Sequence, residues 1–371
     1  MNNSKKIEFC SSVGNSVVAK GTTTALSQLG YDVEEIYSIT GRPSGGMFQQ
    51  ILRRFWMYPG FGVKLFFHNL LSHGDYQIVT TNPFFAPSIA CFSKKKRKII
   101  HLVWDLFPEA LIYYGSVSKD SFLARSIRST VKYALKSADA NVFLGEHLYK
   151  YVEAHFGKVN NPHIIHVGTD TAQFQKQPSR DIHDLSFLYC GNLGKLHDID
   201  VMTRFMLYEG WNRFKGNIIF NFHASGTKYP QLKEKLKNLK FASNVKINFG
   251  SSLPSVEWIK VMESCQIALV TMILGGENVV MPSKTYSAMA AGQAILAICA
   301  EESDLSDLVN KHNCGWVIPV DDPNGLEKCC DNIITDQEGV YIKRMNSQAA
   351  VRKYYDFNIL AQQWNQVLKS L

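Results

Sequence analysis

Met281–Gly292 reads MPSKTYSAMAAG, a helix start, a helix of small residues and a stop in twelve positions. Pro282 suits the first turn of a helix, Ser283 can cap that helix, and Gly292 can end it. Lys284 adds a cation at a helix start, where free N–H groups already favour an anion. The stretch favours a nucleotide-binding α/β domain, although a core helix with an ordinary serine cap fits the same residues.

Strand-like and helix-like runs alternate along the whole chain. Apolar runs predict ten strands: Ile7–Ser11, Val33–Tyr37, Ile78–Thr81, Lys98–Val103, Ala140–Leu144, Leu185–Cys190, Ile218–Phe222, Val245–Phe249, Ile267–Thr271 and Ile295–Cys299. Alternation with helices is typical of parallel sheets that are covered on both faces. Two such sets, separated by the polar stretch Gly168–Asp184, predict an α/β protein with two doubly wound, Rossmann-like domains.

Four blocks in the second half occur in a family order. They are FLYCGNLGK (Phe187–Lys195), FHASGTKYPQL (Phe222–Leu232), the block around PSKTYSAMAAG, and CGWVIPVDDPNGL (Cys314–Leu326). This ordered set resembles the donor domain of the retaining family 4 glycosyltransferases, which have the GT-B fold with two domains facing a central cleft. The resemblance implies an acceptor-binding domain over 1–176, a nucleotide-sugar domain over 177–352, and a C-terminal helix over 353–371 that crosses back.

Glycine loops after the strands are the predicted donor site. In GNLGK, Gly191–Lys195, two glycines let the backbone approach a diphosphate, and Lys195, or secondarily His197, can neutralise it. A solvated lysine on a loop fits GNLGK as well, and a plain strand-to-helix turn fits the loop that holds Gly14. The predicted donor-binding residues are Gly14, Asn15, Gly191, Asn192, Gly194, Lys195, Gly226, Glu277, Pro282, Ser283, Lys284 and Ser287.

The sequence departs from the family at one place. The family motif has two glutamates separated by seven residues, and Val279 and Ser287 stand at those positions here. The second glutamate holds the donor ribose in the family. Glu277 can replace the first if the loop Gly275–Met281 is shifted, and Ser287 can still donate a weaker hydrogen bond.

HLVWDLFPE, His101–Glu109, places two carboxylates after a buried strand. Pro108 argues against a helix there, so Asp105 and Glu109 are expected to project from a loop. The block resembles a D-L-[WF]-P-E segment of bacterial enzymes that make surface polysaccharides, which implies that both residues bind the acceptor; a helix cap or a loop salt bridge is the alternative. With Asp105, the predicted catalytic residues are Lys195 and Lys284.

The stretch Arg53–Ser72, RRFWMYPGFGVKLFFHNLLS, combines aromatic residues with cations. Pro59 and Gly60 are expected to split it into two short helical pieces that lie in a membrane interface. KKKRK at Lys94–Lys98 can add attraction to anionic lipid, about 1 kcal/mol per residue. Core packing and a solvated turn remain the alternatives.

The composition limits the kinds of partner, metal site and cellular location that we expect for this protein. The net charge of +8 favours phosphate-bearing partners, but no zinc, helix-turn-helix or RNA-binding pattern indicates nucleic acid. The eight cysteines contain no C-x-x-C pair, so neither a disulfide framework nor structural zinc is expected. We expect no metal, no cofactor, no signal peptide and no membrane span, and hence a peripheral protein on the cytoplasmic face of the inner membrane.

These patterns predict a retaining, hexosyltransferase-type glycosyltransferase. It would move a sugar from a UDP- or GDP-sugar to a growing lipid-linked glycan of bacterial surface polysaccharide, such as lipopolysaccharide O-antigen. Two alternatives remain open. One is a nucleotide-sugar epimerase on the same GT-B scaffold, and the other is a non-catalytic nucleotide-sugar-binding subunit of a polysaccharide assembly complex.

Overall fold

The computed structural model describes residues 4–14, 17–40 and 47–371, so the predicted site residue Asn15 lies outside the described residues. The chain divides into two compact units. The first contains Met1–Val167, Asn278–Met281 and Phe357–Leu371, and the second contains Gly168–Glu277 and Pro282–Asp356.

The first unit is built on a six-stranded parallel sheet of order β3-β1-β5-β6-β7-β8. Its strands are β1 Lys6–Cys10, β2 Val13–Gly14, β3 Asp32–Ile36, β4 Ile39–Thr40, β5 Tyr76–Thr80, β6 Lys98–Val103, β7 Ala140–Phe143 and β8 Pro162–Ile164. Its helices are α1 Val17–Gln28, α2 Met47–Leu71, α3 Ala86–Ser93, α4 Glu109–Tyr113, α5 Phe122–Ser137 and α6 Glu146–Phe156, with a last helix, α14, over Phe357–Lys369. Strands β2 and β4 form a separate two-residue ladder.

The second unit repeats the plan with a parallel sheet of order β11-β10-β9-β12-β13-β14. Its strands are β9 Leu185–Asn192, β10 Ile218–Ser225, β11 Val245–Gly250, β12 Ile267–Thr271, β13 Ala294–Cys299 and β14 Gly315–Pro319. Its helices are α7 Asp200–Met206, α8 Lys228–Lys237, α9 Ser255–Ser264, α10 Lys284–Ala290, α11 Asp304–Lys311, α12 Pro323–Thr335 and α13 Gln337–Tyr354.

The central strands are apolar throughout because helices cover both faces of a parallel sheet. Every residue of β12 and β13 is buried. On one face of the second sheet, the rings of Phe187 and Phe220 stack with centres 4.8 Å apart, and Trp211 packs edge-on against Phe187. This aromatic core fixes the central strands and, with them, the loops that follow.

The predicted two-sheet α/β architecture is confirmed. All ten predicted strands are present within one or two residues at their N-terminal ends, and the bounds of Lys98–Val103 and Ile267–Thr271 match in full. The short edge strand Pro162–Ile164 was not predicted, because three residues beginning with proline carry no apolar run.

The prediction of two helical pieces around Pro59 and Gly60 is wrong, because α2 continues through both residues. A proline inside a helix removes one hydrogen bond and costs about 3 kcal/mol. Buried Phe61 and Leu65 lie on the inner side of α2 and join the core that contains helix α3, and burial of two such side chains offsets that cost.

The polar stretch Gly168–Asp184 packs on helix α13 of the second unit. Arg344 donates to the carbonyl of Ser179 at 3.0 Å, and Gln348 donates to the carbonyl of Lys176 at 2.9 Å. The division between the units therefore lies between Val167 and Gly168 by contacts, while the sequence placed it after residue 176.

Helix α14 belongs to the first unit and packs on α1. Tyr31 donates to the side-chain carbonyl of Asn365 at 2.9 Å. Gly21 lies directly under the Phe357 ring, and a Cβ at this position would overlap that ring. The absence of a side chain at Gly21 therefore allows the close approach of the two helices.

We expect Gly21→Ala to lower the apparent melting temperature, because the new methyl group forces Phe357 out of its site at about 1–3 kcal/mol. This exceeds the roughly 1 kcal/mol that alanine adds to a helix interior. Gly60→Ala is the matched control, since Gly60 is also helical but a Cβ there would have no atom within 4 Å. Thermal unfolding should show a decrease for Gly21→Ala and a slight increase for Gly60→Ala; equal shifts would contradict the contact.

Candidate functional site

The candidate site lies where the second sheet reverses its strand order. The chain proceeds from β9 to β10 and β11 on one side and then returns to place β12 on the other side of β9. Loops that leave two such neighbouring strands diverge and open a crevice at the carboxyl ends. The two loops are tied together here, because the His197 ring donates to the carbonyl of Thr271 at 2.7 Å and Ile273 N–H donates to the carbonyl of Leu196 at 2.9 Å.

The predicted residues fall in the two units. Gly14, Asp105 and Glu109 lie in the first unit, and Gly191, Asn192, Gly194, Lys195, Gly226, Glu277, Pro282, Ser283, Lys284 and Ser287 lie in the second. The second group lies at the carboxyl ends of β9, β10 and β12, in the segments that follow these strands, and in the first half of helix α10.

Glycine conformations shape the end of β9 and the loop that follows it. Gly191 has φ +122° and Gly226, in the loop after β10, has φ +106°. A Cβ on Gly226 would lie 2.5 Å from the side-chain oxygen of Asn192 and 2.6 Å from the carbonyl oxygen of Leu193. The two loops can therefore touch only because position 226 has no side chain. Lys195 is exposed in the turn that follows.

Lys284 turns inward instead of toward solvent. Its Nζ lies 2.5 Å from the hydroxyl of Tyr189 and 3.9 Å from the centre of that ring. Its Cε lies 4.0 Å from a Cβ position on Gly191, so cation and glycine loop are neighbours. Burial lowers the pKa of Lys284 to about 7, because the charged form loses hydration. The side chain can therefore gain a proton when an anion arrives.

His197 and Lys228 complete this cluster. Burial, and next the charge of Lys284, lower the pKa of His197 to about 3, so the ring is neutral. A carbonyl can only accept, so Nδ1 of His197 carries the hydrogen and Nε2 is left as an acceptor. Lys228 donates to the carbonyl of His197 at 2.6 Å. Neither Tyr189 nor Lys228 was predicted as a site residue, because Tyr189 lies within the apolar strand β9 and Lys228 is one of several lysines on helix α8.

The start of helix α10 differs from the prediction. Ser283 occupies the N-cap position in a helical conformation, φ −59° and ψ −28°, and its side chain accepts no capping hydrogen bond. The predicted serine cap is therefore wrong, because capping requires an extended residue whose oxygen reaches back to the helix. A turn in which Thr285 N–H donates to the carbonyl of Pro282 at 3.1 Å begins the helix instead.

The two positions at which the resembled family has glutamates hold residues that make packing or hydroxyl contacts here. The Ser287 hydroxyl lies 3.3 Å from that of Thr169, and Val279 is fully buried. Glu277 accepts a hydrogen bond from Gly275 N–H at 3.0 Å within its own loop.

In the first unit, Thr81 organises the carboxyl end of β6. Its hydroxyl accepts from the N–H groups of Trp104 and Asp105 at 3.2 and 3.1 Å. Glu109 is the first residue of helix α4, so the prediction that it projects from a loop is wrong. Proline is unfavourable within a helix but tolerated immediately before or at its first turn. Glu109 is buried and ion-paired with Arg128 at 2.7 Å.

Gly14 and Cys190 also lie near strand ends, one in each unit. Gly14 is buried, and a Cβ there would lie 2.8 Å from the Tyr37 ring. Cys190, half-buried, is one of eight free cysteines.

Among the described residues, no group of three or more histidines, cysteines, aspartates or glutamates is placed to hold a metal ion.

A separate apolar surface lies on the first unit. The aromatic face consists of Trp56, Val63, Phe67 and Leu71 on α2 and Phe92 on the adjoining helix α3. The four α2 residues are spaced by seven, four and four positions, which places them on one side of the helix. Trp56 and Phe92 are each 75% exposed and Leu71 79%. No helix among the described residues is long and apolar enough to cross a membrane.

The basic run beside this face is less charged than predicted. Arg97 is buried and ion-paired with Glu8 at 3.1 Å, so it does not contribute to the surface. Lys94 and Lys98 lie 3.1 and 3.6 Å from Asp139. Lys95 and Lys96 are exposed, and Lys95 also donates to the carbonyl of Leu70 at the end of α2.

We expect Gly226→Ala to destabilise the protein more than Gly30→Ala. Both glycines have positive φ, which costs a residue with a Cβ about 1–2 kcal/mol. Gly30 has no atom within 4 Å of its Cβ position, whereas Gly226 would also collide with the loop after β9 at about 1–3 kcal/mol. Thermal unfolding of the two variants checks this, and equal decreases in melting temperature would show that the loops are not in contact.

Comparisons with known proteins give one curated relative. No family model matches the chain. The chain is similar to the Pseudomonas aeruginosa protein named Probable glycosyltransferase WbjE, with 27% identity over 250 residues, which are 64% of this chain and 60% of that protein. The match therefore spans less than two thirds of the relative.

Similar solved structures extend over nearly the whole chain. Sucrose-phosphate synthase from Thermosynechococcus elongatus has a TM-score of 0.77 at 14% identity, over 99% of this chain and 98% of that one. HepE from Anabaena, in complex with UDP-glucose, has a TM-score of 0.64 at 14% identity, over 99% and 100%. An E. coli structure described as trehalose-6-phosphate bound with UDP-2-fluoro glucose has a TM-score of 0.66 at 11% identity, over 99% of both. The chain therefore has an α/β fold of the GT-B type.

Proposed function

We propose that this chain is a retaining, family 4-type glycosyltransferase. It transfers a sugar, in hexosyltransferase fashion, from a UDP- or GDP-sugar to a growing lipid-linked glycan of bacterial surface polysaccharide. The observation that carries the proposal is Lys284, a half-buried cation held beside Gly191 at the switch point of the second sheet.

The donor diphosphate is assigned to the loop after β9 and the start of α10. A backbone without side chain at Gly191 lets phosphate oxygens approach, and Lys284 supplies charge-assisted hydrogen bonds. Lys195 is exposed at the same loop and is the second phosphate contact that we propose. The likeness to structures holding UDP-glucose and UDP-2-fluoro glucose supports this choice of ligand.

The transfer needs stabilisation of the leaving group above all. The bond from the sugar carbon to the phosphate oxygen breaks, its electron pair stays on the diphosphate, and the acceptor oxygen forms the new bond. The acceptor proton passes to the departing phosphate oxygen. Cations fixed where this negative charge develops lower the barrier, and a site that excludes water limits hydrolysis of the donor.

For the acceptor, we propose Asp105 as the direct contact. It follows β6 at the carboxyl end of the first sheet, where ligands bind in open α/β sheets. Glu109 is already paired with Arg128 and buried, so we assign it the role of holding α4 in place.

The aromatic face is proposed to dock on an anionic membrane, the cytoplasmic face of the inner membrane in this pathway. Exposed aromatic and leucine side chains insert at the headgroup boundary. Exposed Lys95 and Lys96 lie beside Phe92 in sequence and add attraction to anionic lipid. A lipid-linked acceptor would then be presented to the unit that carries Asp105.

We expect UDP or GDP to bind, and Lys284→Met to weaken that binding about 10- to 100-fold, the equivalent of a charge-assisted hydrogen bond of about 1.5–3 kcal/mol. Affinity should fall as pH rises above 7. The free lysine loses its proton near that pH, while a bound diphosphate keeps it charged, so binding takes up a proton. Calorimetric titration in two buffers of different ionisation enthalpy measures both quantities, and Lys284→Arg should abolish the uptake.

Lys343→Met is the matched control. Lys343 is also half-buried, lies 5.3 Å from the Trp316 ring centre, and has its pKa lowered by burial, but it sits on α13. Its loss should leave nucleotide affinity unchanged. Folded protein that binds neither UDP nor GDP would contradict the proposed function.

The buried Val279 and the Ser287–Thr169 contact keep the non-catalytic alternative in view, because no carboxylate stands at either family position. Incubation with nucleotide sugar separates the possibilities. Transfer to an acceptor supports the proposal, an epimer formed from donor alone indicates an epimerase, and binding without turnover indicates a binding subunit.

We expect the protein to bind vesicles containing anionic phosphatidylglycerol, and Phe67→Ser with Leu71→Ser to reduce binding more than tenfold, since burial of each side chain contributes about 1.5–3 kcal/mol. Phe122→Ser with Leu123→Ser is the control, because these exposed residues begin α5, roughly 20 Å along the helix from its contact with Lys94. Co-sedimentation measures both; equal losses, or no binding by the unaltered protein, would refute the docking surface.

A further inference from the structure

We propose that Tyr189 is a positioning residue whose hydroxyl joins Lys284 to the backbone of the glycine loop, so that cation and loop hold one geometry for a diphosphate. The inference rests on the proposed function, because it assumes that a nucleoside diphosphate binds beside Lys284. It concerns a residue that touches no phosphate itself.

The Tyr189 hydroxyl has two partners at once. It donates to the carbonyl of Asn192 at 2.9 Å and lies 2.5 Å from Nζ of Lys284. A hydroxyl has one hydrogen, and a carbonyl can only accept, so that hydrogen is committed to Asn192. Lys284 must therefore be the donor in the second contact, whether it is an ammonium group or a neutral amine. The Tyr189 hydroxyl therefore accepts a hydrogen bond from Lys284 and donates one to the Asn192 carbonyl.

The peptide that joins Asn192 to Leu193 is held at both ends. Its carbonyl accepts from Tyr189, and its N–H donates to the carbonyl of Ser225 at 2.6 Å. This peptide plane follows Gly191, whose φ of +122° turns the chain. Loss of the Tyr189 contact therefore frees one end of the peptide at the point where the loop would meet a phosphate.

The tyrosine ring is a rigid support. Tyr189 has no exposed surface and stacks on Phe222 with centres 6.3 Å apart. The His197 ring meets it edge-on at 5.9 Å. Nζ of Lys284 sits 3.9 Å from the ring centre, within cation–π distance, so the ring face attracts the cation while the hydroxyl sets its direction.

A phenol suits this task better than a carboxylate. A carboxylate beside Lys284 would neutralise it and repel a diphosphate, whereas a hydroxyl accepts a hydrogen bond without a competing charge. Burial raises the pKa of Tyr189 well above its ordinary value, so the hydroxyl stays protonated. The hydroxyl therefore brings no negative charge that would compete with an incoming anion for Lys284.

The test is a double-mutant cycle with UDP and GDP as probes. Tyr189→Phe keeps the ring and removes the hydroxyl, and we expect it to weaken nucleotide binding about 5- to 30-fold. In the Lys284→Met background the same change should weaken binding by a clearly smaller factor, because only the contact with the Asn192 carbonyl is left to lose. Equal effects in both backgrounds, or no effect of Tyr189→Phe alone, would overturn the inference.

Proton uptake gives a readout that loss of packing would not move. The hydroxyl stabilises the ammonium form of Lys284 by accepting from it, so its removal lowers the pKa of that lysine below about 7. At pH 7, uptake on nucleotide binding should rise from about half a proton toward one, on the linkage argument. Unchanged uptake would indicate a purely structural tyrosine.

Tyr229→Phe is the matched control. Tyr229 is also buried in the second unit, and its hydroxyl lies 2.6 Å from the backbone carbonyl of Gly250 and 3.1 Å from that of Phe222, so it contacts the backbone of β10 and β11 instead of Lys284. Its loss should leave affinity and proton uptake unchanged. If Tyr189→Phe does not fold, 3-fluorotyrosine at position 189 is the alternative, because it nearly keeps the size of the ring and makes the hydroxyl a weaker acceptor. This replacement should also weaken nucleotide binding.

The proposed donor site and the positioning role of Tyr189 can be refuted separately. If Lys284→Met does not change nucleotide binding, the proposed donor site is wrong. If Lys284→Met weakens binding and Tyr189→Phe does not, the donor site stands and only the positioning role is refuted.

Discussion

Parallel strand pairing is the constraint on which the rest of this structure depends. Every strand of both large sheets is parallel to its neighbours, so the chain must return across a helix after each strand, and both faces of each sheet are covered. Backbone polar groups are then free to meet a ligand only at the strand ends. In the second sheet the order reverses beside β9. The end of β9 holds Gly191, the loop after β9 holds the half-buried His197, and the loop after β12 leads to Lys284 at the start of α10.

This constraint explains why the sequence predicted the architecture well. Strands covered on both faces are continuous apolar runs, and Ile267–Thr271 could be placed from composition alone. Pro59 shows the limit, because its local cost was predicted but the packing of Phe61 and Leu65 that offsets it depends on residues distant in the chain. Pro162–Ile164 is a strand only because β7 lies beside it.

The candidate site shows the same difference between features that local sequence predicts and features that depend on distant residues. Lys284 could be chosen as a candidate because Pro282 and Ser283 before it mark a helix start, and the helix does begin at Lys284 although Ser283 does not cap it. The partner of Lys284 could not, because Tyr189 lies 95 residues away and has the apolar character of any strand residue. Glu109 was predicted as a carboxylate projecting from a loop, since its partner Arg128 belongs to another helix and no local pattern connects them.

The electrostatics of the cluster fit an anionic ligand better than a structural role. Burying a lysine beside an aromatic ring and a neutral histidine is costly for the charged form, and nothing in these contacts neutralises it. Lys94, by comparison, faces the carboxylate of Asp139. Val279 and Ser287, which precede and follow Lys284 in the sequence, are both uncharged, whereas the motif that this segment resembles has glutamates at these positions. Neither residue adds a carboxylate to the surroundings of Lys284, so the positive potential that Lys284 contributes there is not offset by these two positions.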